Sequence, residues 1–219
     1  IPHSGRTYDA AYTAFERVLF LGSTGNFQDK AQYQMAENRY RQQNYNAALE
    51  NYQKVVQLYG NGELADDAQY RIGDCYFASG TYDKAATSYQ AALKKYPQSP
   101  YAPSGAYYMG VAHQELGAYQ AAVDAFKQVT LAQVGRKQRD PFAEDAQFRL
   151  GDLYFIQKNY AGAAAELEKG VKEYPESKFR AKAQYTTGGA YYELGRYSDA
   201  IAAYQKVISE FPTSEFAKN

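Results

Sequence analysis

Six tyrosines recur along the chain at nearly constant separations, and this period constrains the fold more than any other feature. Their separations are 37, 37, 37, 41 and 37 residues, and they are Tyr8, Tyr45, Tyr82, Tyr119, Tyr160 and Tyr197. An alanine follows each tyrosine by three residues, and a large apolar residue follows that alanine by four. A fixed period in this range is typical of solenoids, whose stacked units bury faces against one another. The sequence therefore predicts a repeat architecture.

Each repeat contains the pattern of two helices separated by a turn. Residues 66–79 place apolar side chains on one helical face, and Gly80 follows this stretch. A second helix is predicted from Tyr82 and ends before Pro97, because proline cannot continue a helix. Ser99 follows this proline and is expected to cap the next helix. Close crossing of paired helices requires small residues, which accounts for Gly73, Gly110, Gly151 and Gly188.

These residues resemble the tetratricopeptide repeat. The family's positions are occupied in one unit by Ile72, Gly73, Tyr76, Ala85, Tyr89, Ala92 and Pro97. The resemblance implies an all-α fold: a right-handed superhelical solenoid of antiparallel helix pairs, with about eleven helices, as one array over residues 1–219. An insertion is expected to form a loop at 135–140. The long turns of Tyr-Pro-x-Ser type resemble those of bacterial envelope proteins, the Tol-associated and outer-membrane-assembly factors. This likeness implies an extracytoplasmic location.

Composition excludes several classes of function. The chain has 24 basic and 24 acidic residues, so no overall field attracts nucleic acid or an anionic membrane. No run approaches the roughly 18 apolar residues of a membrane span. Because Cys75 is the only cysteine, an internal disulfide is excluded. The first residues, Ile1-Pro2-His3, suggest a processed form or a fragment.

The sequence contains no recognisable catalytic constellation. A phosphate-binding glycine loop, a cluster of metal ligands and a nucleophile with a base at suitable spacing are all missing from the pattern. His113 occupies the repeat position held elsewhere by Tyr76, so packing is favoured over metal binding. Cys75 shares its position with small apolar residues and is expected in the core. We therefore expect a non-enzyme with no cofactor and no metal, and with a protein as its partner.

In the family that the chain resembles, the first helix of each unit lines a concave groove. One row of candidate groove residues consists of Tyr33, Tyr70, Tyr107, Phe148 and Tyr185, and a second of Tyr40, Phe77, Phe155 and Tyr192. The acidic residues at or near this surface are Glu37, Asp67, Asp74, Asp145 and Asp152. Such a groove suits an apolar or basic peptide. The alternative is structural, since Arg71 and Arg149 can form ion pairs along their own helices, and the aromatic rows can pack against neighbouring units.

The two ends of the chain favour a second hypothesis. Both the first and the last predicted helices are of the second type, without the polar capping helix that solenoids usually have. The expected end-face residues are Leu19, Phe20 and Leu21 at one end and Tyr204, Val207, Phe211 and Phe216 at the other. Contact between unlike ends of two copies builds a ring or a fibre. An interaction scaffold is the first reading, and a head-to-tail structural subunit is the alternative.

Overall fold

The computed structural model describes residues 5–20, 27–133 and 140–218, with side chains from residue 9 onward. The described residues form eleven α-helices and one short 3-10 helix, without a strand among them. They divide into two compact units, the first ending at Leu116 and the second beginning at Gly117. Leu21, the Tyr8 side chain and residues 135–139 of the expected loop lie outside the described part. A single continuous array over the whole chain stays a prediction.

The first unit is a series of six helices, each packed against the next. These are α1 (Gly5–Phe20), α2 (Gln28–Arg41), α3 (Tyr45–Leu58), α4 (Ala65–Ala78), α5 (Tyr82–Lys95) and α6 (Ala102–Glu115). The short connections after α2 and α4 return the chain, which makes their neighbours antiparallel. One core cluster joins α2, α3 and α4 and contains Tyr33, Ala36, Ala48, Tyr52, Val55, Ala68, Ile72 and Cys75. In addition α4 contacts α6, so successive first helices of the repeats lie side by side.

The second unit repeats this arrangement. It comprises α7 (Tyr119–Gln133), α8 (Pro141–Ile156), α9 (Tyr160–Glu173), α10 (Arg180–Glu193), α11 (Tyr197–Glu210) and the 3-10 helix Glu215–Ala217. Here α8 contacts α10, and the 3-10 helix packs on α10 and α11. The predicted all-α fold of stacked helix pairs is thus confirmed. None of the described helices combines the length and the apolar character needed to span a membrane.

The turn inside each repeat has a residue in the left-handed region. Gly80 and Gly195 have φ of 74° and 73°, whereas Gln43 and Lys158 adopt φ of 60° at the equivalent position. Gly80 N–H donates to Phe77 O, and the next amide donates to the carbonyl five residues before it, which is the Schellman pattern. Glycine adopts this conformation without a Cβ clash. Gln43 and Lys158 are strained by comparison.

The predicted close crossing of paired helices is confirmed at three glycines, and at Gly151 a Cβ would clash with the side chain of Leu167. A Cβ at Gly73 would lie 2.5 Å from the ring of Tyr89, and one at Gly188 would lie 2.7 Å from Tyr204. The predicted cap at Ser99 is wrong in detail. Its Oγ accepts from Tyr101 N–H at 3.2 Å, inside the turn, and α6 begins one residue later with no side-chain cap on Tyr101.

Candidate functional site

The first aromatic row is largely buried, not open to a groove. Tyr33, Tyr70 and Phe148 expose only 6%, 2% and 4% of their surface, whereas Tyr107 and Tyr185 are half-buried. Tyr70 packs against Gly105 of α6, where a Cβ would clash with its ring. The expectation of a continuous exposed row therefore needs correction. The buried members fill the space between helices, as the structural alternative predicts.

The second row packs against the tyrosines that set the repeat period. Tyr40, Phe77 and Phe155 are half-buried, and Tyr192 is exposed. The rings meet edge to face at the turn between the two helices, in the pairs Tyr40–Tyr45, Phe77–Tyr82, Phe155–Tyr160 and Tyr192–Tyr197. Their centroids lie 5.3 to 5.5 Å apart, within the favourable range for aromatic pairs. These pairs were not predicted, although the two rings of each pair are separated by a constant five residues in the sequence.

Arg71 on α4 is the centre of a charged cluster in the first unit. Its guanidinium lies 3.4 Å from Asp67, 3.3 Å from Asp74 and 3.5 Å from Glu37 on α2. The two contacts within α4 were predicted, but the contact with Glu37 was not. Glu37 also lies 3.6 Å from the exposed Arg41. Three carboxylates therefore share one half-buried guanidinium.

Buried tyrosine hydroxyls complete this cluster. Tyr33 Oη donates to Asp67 Oδ2 at 2.6 Å, Tyr89 Oη donates to Asp74 Oδ1 at 2.7 Å, and Tyr52 Oη donates to Glu37. Burial, together with these carboxylates, raises the pKa of all three tyrosines, so they remain protonated donors. Each of the three carboxylates lies on a first helix and accepts from a tyrosine on a neighbouring helix. These hydrogen bonds hold the carboxylates in place.

The electrostatics of the cluster are not fully balanced. Burial raises the pKa of Asp74, against the Tyr89 hydrogen bond and the Arg71 charge, which lower it. Asp67 is only 7% exposed, and its Oδ1 has no hydrogen-bond donor among the described residues. Arg71 Nε lies 3.4 Å away as an ion pair, but it too lacks a hydrogen-bond partner there. A buried acceptor without a donor costs free energy unless a further group reaches it.

A cleft opens beside this cluster, between α4 and α6. It has a volume of about 370 Å³ and is lined by the polar side chains of Asp67, Arg71, Asp74 and Ser104. Its aromatic walls are formed by Tyr40, Tyr70, Phe77, Tyr89, Tyr101 and Tyr108. Phe77 and Tyr108 lie with their ring centroids 5.2 Å apart. The site thus offers two carboxylates, one shared guanidinium and several π-faces.

The second unit contains a related acidic group with a different neighbour. Arg149 Nε donates to Asp145 Oδ2 at 2.5 Å, as predicted from their spacing. Asp152 instead accepts from Lys182 Nζ of α10, also at 2.5 Å. By repeat register Asp152 corresponds to Asp74, and Lys182 corresponds to Ser104. Lys182 is not among the residues predicted for the site, although its place in the repeat is visible in the sequence.

The end-face candidates occupy mixed environments. Phe20 is 90% exposed and Leu19 is half-buried, while Leu21 lies outside the described residues. At the other end Val207 is buried, and Tyr204, Phe211 and Phe216 are half-buried. Phe216 packs on Tyr185 with centroids 5.6 Å apart, and Arg180 lies over Phe211 at 5.0 Å. The expected apolar face is thus partly covered by its own unit.

The exposed apolar residues of α11 are different ones. Ile201 and Ile208 are 57% and 59% exposed, and they lie seven residues apart on one helical face. The residues at the positions of Ile201 and Ile208 in α7, Val123 and Thr130, are buried. Ile201 and Ile208 were not predicted as end-face residues, because the prediction was based mainly on the larger aromatic side chains.

Cys75 and His113 lie in the packed part of the first unit, the cysteine buried and the histidine half-buried. Cys75 is buried, and burial raises its thiol pKa to about 12, so the reactive thiolate is disfavoured. Burial lowers the pKa of the half-buried His113. Over the described ranges, no group of three or more His, Cys, Asp or Glu side chains has the arrangement of a metal site.

Comparisons with known proteins agree with this architecture. Family models described as tetratricopeptide repeat match residues 33–100 and 107–178, and a further one matches 182–214. No curated protein matches the chain.

Three solved structures illustrate the likeness of fold. A MamA protein has 19% identity and a TM-score of 0.68, covering 84% of this chain and 92% of its own. MamA residues 41–end from Desulfovibrio magneticus RS-1 has 18% identity and a TM-score of 0.65, with 88% and 99% coverage. BtubC (BKLC) from P. vanneervenii has 13% identity and a TM-score of 0.66, with 96% and 91% coverage. On the extent of the family match, the chain belongs to the tetratricopeptide repeat family.

Proposed function

We propose that this chain is a non-enzymatic interaction scaffold that captures a peptide segment of a partner protein. The family match supports protein binding in general, since tetratricopeptide repeats present surfaces and not reaction centres. The observation that carries the proposal is the cleft between α4 and α6, which is lined mainly by side chains of these two first helices. Its aromatic walls provide anchor surfaces for a peptide, and its charged groups provide specificity.

Selection from a phage-displayed library of random peptides tests this proposal. We expect enriched peptides whose affinity falls about tenfold or more when Tyr108, on the wall of the cleft, is replaced in Tyr108→Ala. Tyr119→Ala is the matched control, because Tyr119 is exposed on α7 and belongs to the second unit. Failure to enrich any peptide, or equal binding by Tyr108→Ala, would refute capture in this cleft.

A second candidate is head-to-tail self-association into a ring or fibre. It is favoured by exposed apolar side chains on the first and last helices, namely Phe20 on α1 and Ile201 and Ile208 on α11. Burying each such side chain contributes about 1.5–3 kcal/mol, which is enough to drive association when several act together.

Sedimentation velocity over a hundredfold range of concentration distinguishes this second candidate. Self-association predicts species that grow with concentration and that disappear in Phe20→Glu and in Ile208→Glu. Ile156→Glu is the control, since Ile156 is comparably exposed at the end of α8. A particle that remains monomeric throughout excludes the candidate. The extracytoplasmic location is proposed on the Tyr-Pro-x-Ser turns alone, and fractionation of the source cells tests it.

A further inference from the structure

We infer that the cleft between α4 and α6 binds the ammonium or guanidinium group of a lysine or arginine side chain from the partner. This inference rests on the proposed peptide capture and names the chemistry of the residue captured. It combines three features of the first unit with one comparison between the units.

The first feature is the charge of the cleft lining. Asp67 and Asp74 face a single basic group, Arg71, which also lies 3.5 Å from Glu37. Glu37 has the exposed Arg41 as a second partner at 3.6 Å, so two guanidinium groups face three carboxylates and one negative charge remains. A further cation in the cleft is attracted by this remaining charge. Such charge complementarity directs a partner's basic residue to this place.

The second feature is an unused acceptor. Asp67 Oδ1 is buried in a residue that lines the cleft, and it lacks a hydrogen-bond donor of good geometry in the described structure. Arg71 Nε lies 3.4 Å away as an ion pair, and the Tyr101 hydroxyl interacts with the same carboxylate. An ammonium group carries three donors and a guanidinium carries five. Either group therefore supplies what this oxygen lacks, whereas an apolar side chain does not.

The third feature is the aromatic wall. Phe77 and Tyr108 are both half-buried and expose part of their surface beside the carboxylates. A cation near the face of an aromatic ring gains about 0.5–2 kcal/mol, more when water is displaced. The walls thus favour the same class of group as the carboxylates do.

In the second unit, a lysine of the chain itself pairs with Asp152, the residue that corresponds to Asp74. In the second unit Lys182 Nζ donates to Asp152 at 2.5 Å. In the first unit the corresponding residue is Ser104, whose hydroxyl donates to Tyr101 O at 2.9 Å and not to Asp74. No basic residue of α6 lines the cleft. We therefore assign to the partner the cation that Lys182 provides in the second unit.

The test uses the peptides enriched on the complete chain. We expect a lysine or arginine common to them, and we expect replacement of that residue by norleucine or citrulline to weaken binding about tenfold or more. The Asp67→Asn/Asp74→Asn variant should bind the original peptide more weakly and should discriminate little between it and the replaced peptide. This double-mutant cycle isolates the cation–carboxylate interaction from the remaining contacts.

A second pair of variants guards against loss of folding in the Asn variant. Ser104→Lys places the chain's own ammonium group where Lys182 stands, and Ser104→Met adds similar bulk without charge. We expect Ser104→Lys to weaken binding more than Ser104→Met, with helical circular dichroism retained in both.

The outcomes separate the two proposals. Peptides that depend on Tyr108 but contain no essential basic residue overturn this inference and leave the scaffold function standing. The inference is also overturned if free arginine or spermidine binds the cleft as tightly as the peptide. Failure to select any cleft-binding peptide overturns both.

Discussion

Lys182 on α10 places its ammonium nitrogen 2.5 Å from Asp152 on α8, whereas the corresponding residues of the first unit are Ser104 and Asp74. The change from Ser104 to Lys182 is one of several sequence differences between the two places. Tyr89, which donates to Asp74, corresponds by register to Leu167 in the second unit.

The Lys182–Asp152 pair should make only a small contribution to stability. Its side chains are 51% and 28% exposed, and pairs in such positions contribute about 0.2–1 kcal/mol. A double-mutant cycle of Lys182→Ser and Asp152→Asn, measured by urea unfolding, should give a coupling energy in this range that decreases with added salt. A coupling of zero would remove the pair as a model for the proposed bound cation.

Asp74→Asn should become more stable relative to wild type as pH rises. Burial raises the pKa of Asp74, so the folded state favours the protonated form. The associated stability is complete below the unfolded-state pKa and is lost as pH rises through the folded-state pKa. Asparagine cannot ionise and avoids this loss while keeping an acceptor for Tyr89. Urea unfolding at about pH 4 and pH 7 measures the difference, around the ordinary carboxyl pKa.

Glu50→Gln controls for the removal of one carboxylate, since Glu50 is exposed on α3. The opposite result is that Asp74→Asn becomes less stable relative to wild type between about pH 4 and pH 7. It would show that the interactions of Asp74 with Arg71 and Tyr89 outweigh the cost of burying its charge. If Asp74→Asn does become more stable relative to wild type as pH rises, the charge of Asp74 lowers the stability of the wild-type fold at neutral pH. Such a cost is typical of a group kept for binding.

Gly73→Ala should destabilise the first unit by about 1–3 kcal/mol, because the added methyl group overpacks the contact between α4 and α5. The new Cβ would lie 2.5 Å from the ring of Tyr89. In an exposed helix the same substitution stabilises by about 0.5–1 kcal/mol, so the sign is diagnostic. Thermal and urea unfolding measure it. An increase in stability would mean that Tyr89 moves freely and that the crossing is not close.

Gln43→Gly and Lys158→Gly should each stabilise the chain, by about 0.5–1 kcal/mol after the entropy of the unfolded glycine is included. Both residues are exposed and adopt φ of 60° in the turn that ends a first helix. Gly80→Ala is the matched control in the opposite direction: Gly80 occupies the equivalent position with φ of 74°, so this substitution should destabilise the chain. If the two kinds of substitution shift the urea midpoint in the same direction, left-handed strain is not the cause.

The periodic residues made the fold predictable from the sequence. Tyr82 and its equivalents, with the alanine after each, determine helix pairing because they recur at every junction. The sequence left open whether Tyr70 is exposed in the groove or packed against a neighbouring unit. Its burial depends on Gly105, thirty-five residues away, which leaves space for the ring. Local periodicity describes which face of a helix a residue lies on, but not how deeply the next helix covers it.

The candidate site was only partly predictable for the same reason. The pairs of Arg71 with Asp67 and Asp74 follow from helical spacing, and these are present. The contacts of Glu37 with Arg71 and Tyr52 join different helices, so no local pattern indicates them. The repeat alignment shows lysine at 182 where Ser104 stands in the first unit, but the contact of Lys182 with Asp152 joins two helices and is seen only in the structure.

The most direct test of the central claim is a crystal structure of the chain with a selected peptide. We predict that a lysine or arginine side chain of the peptide enters the cleft between α4 and α6, with its charged group in hydrogen-bond distance of Asp67 or Asp74. A peptide bound with an apolar or acidic side chain in that cleft, or bound elsewhere on the chain, would contradict the account.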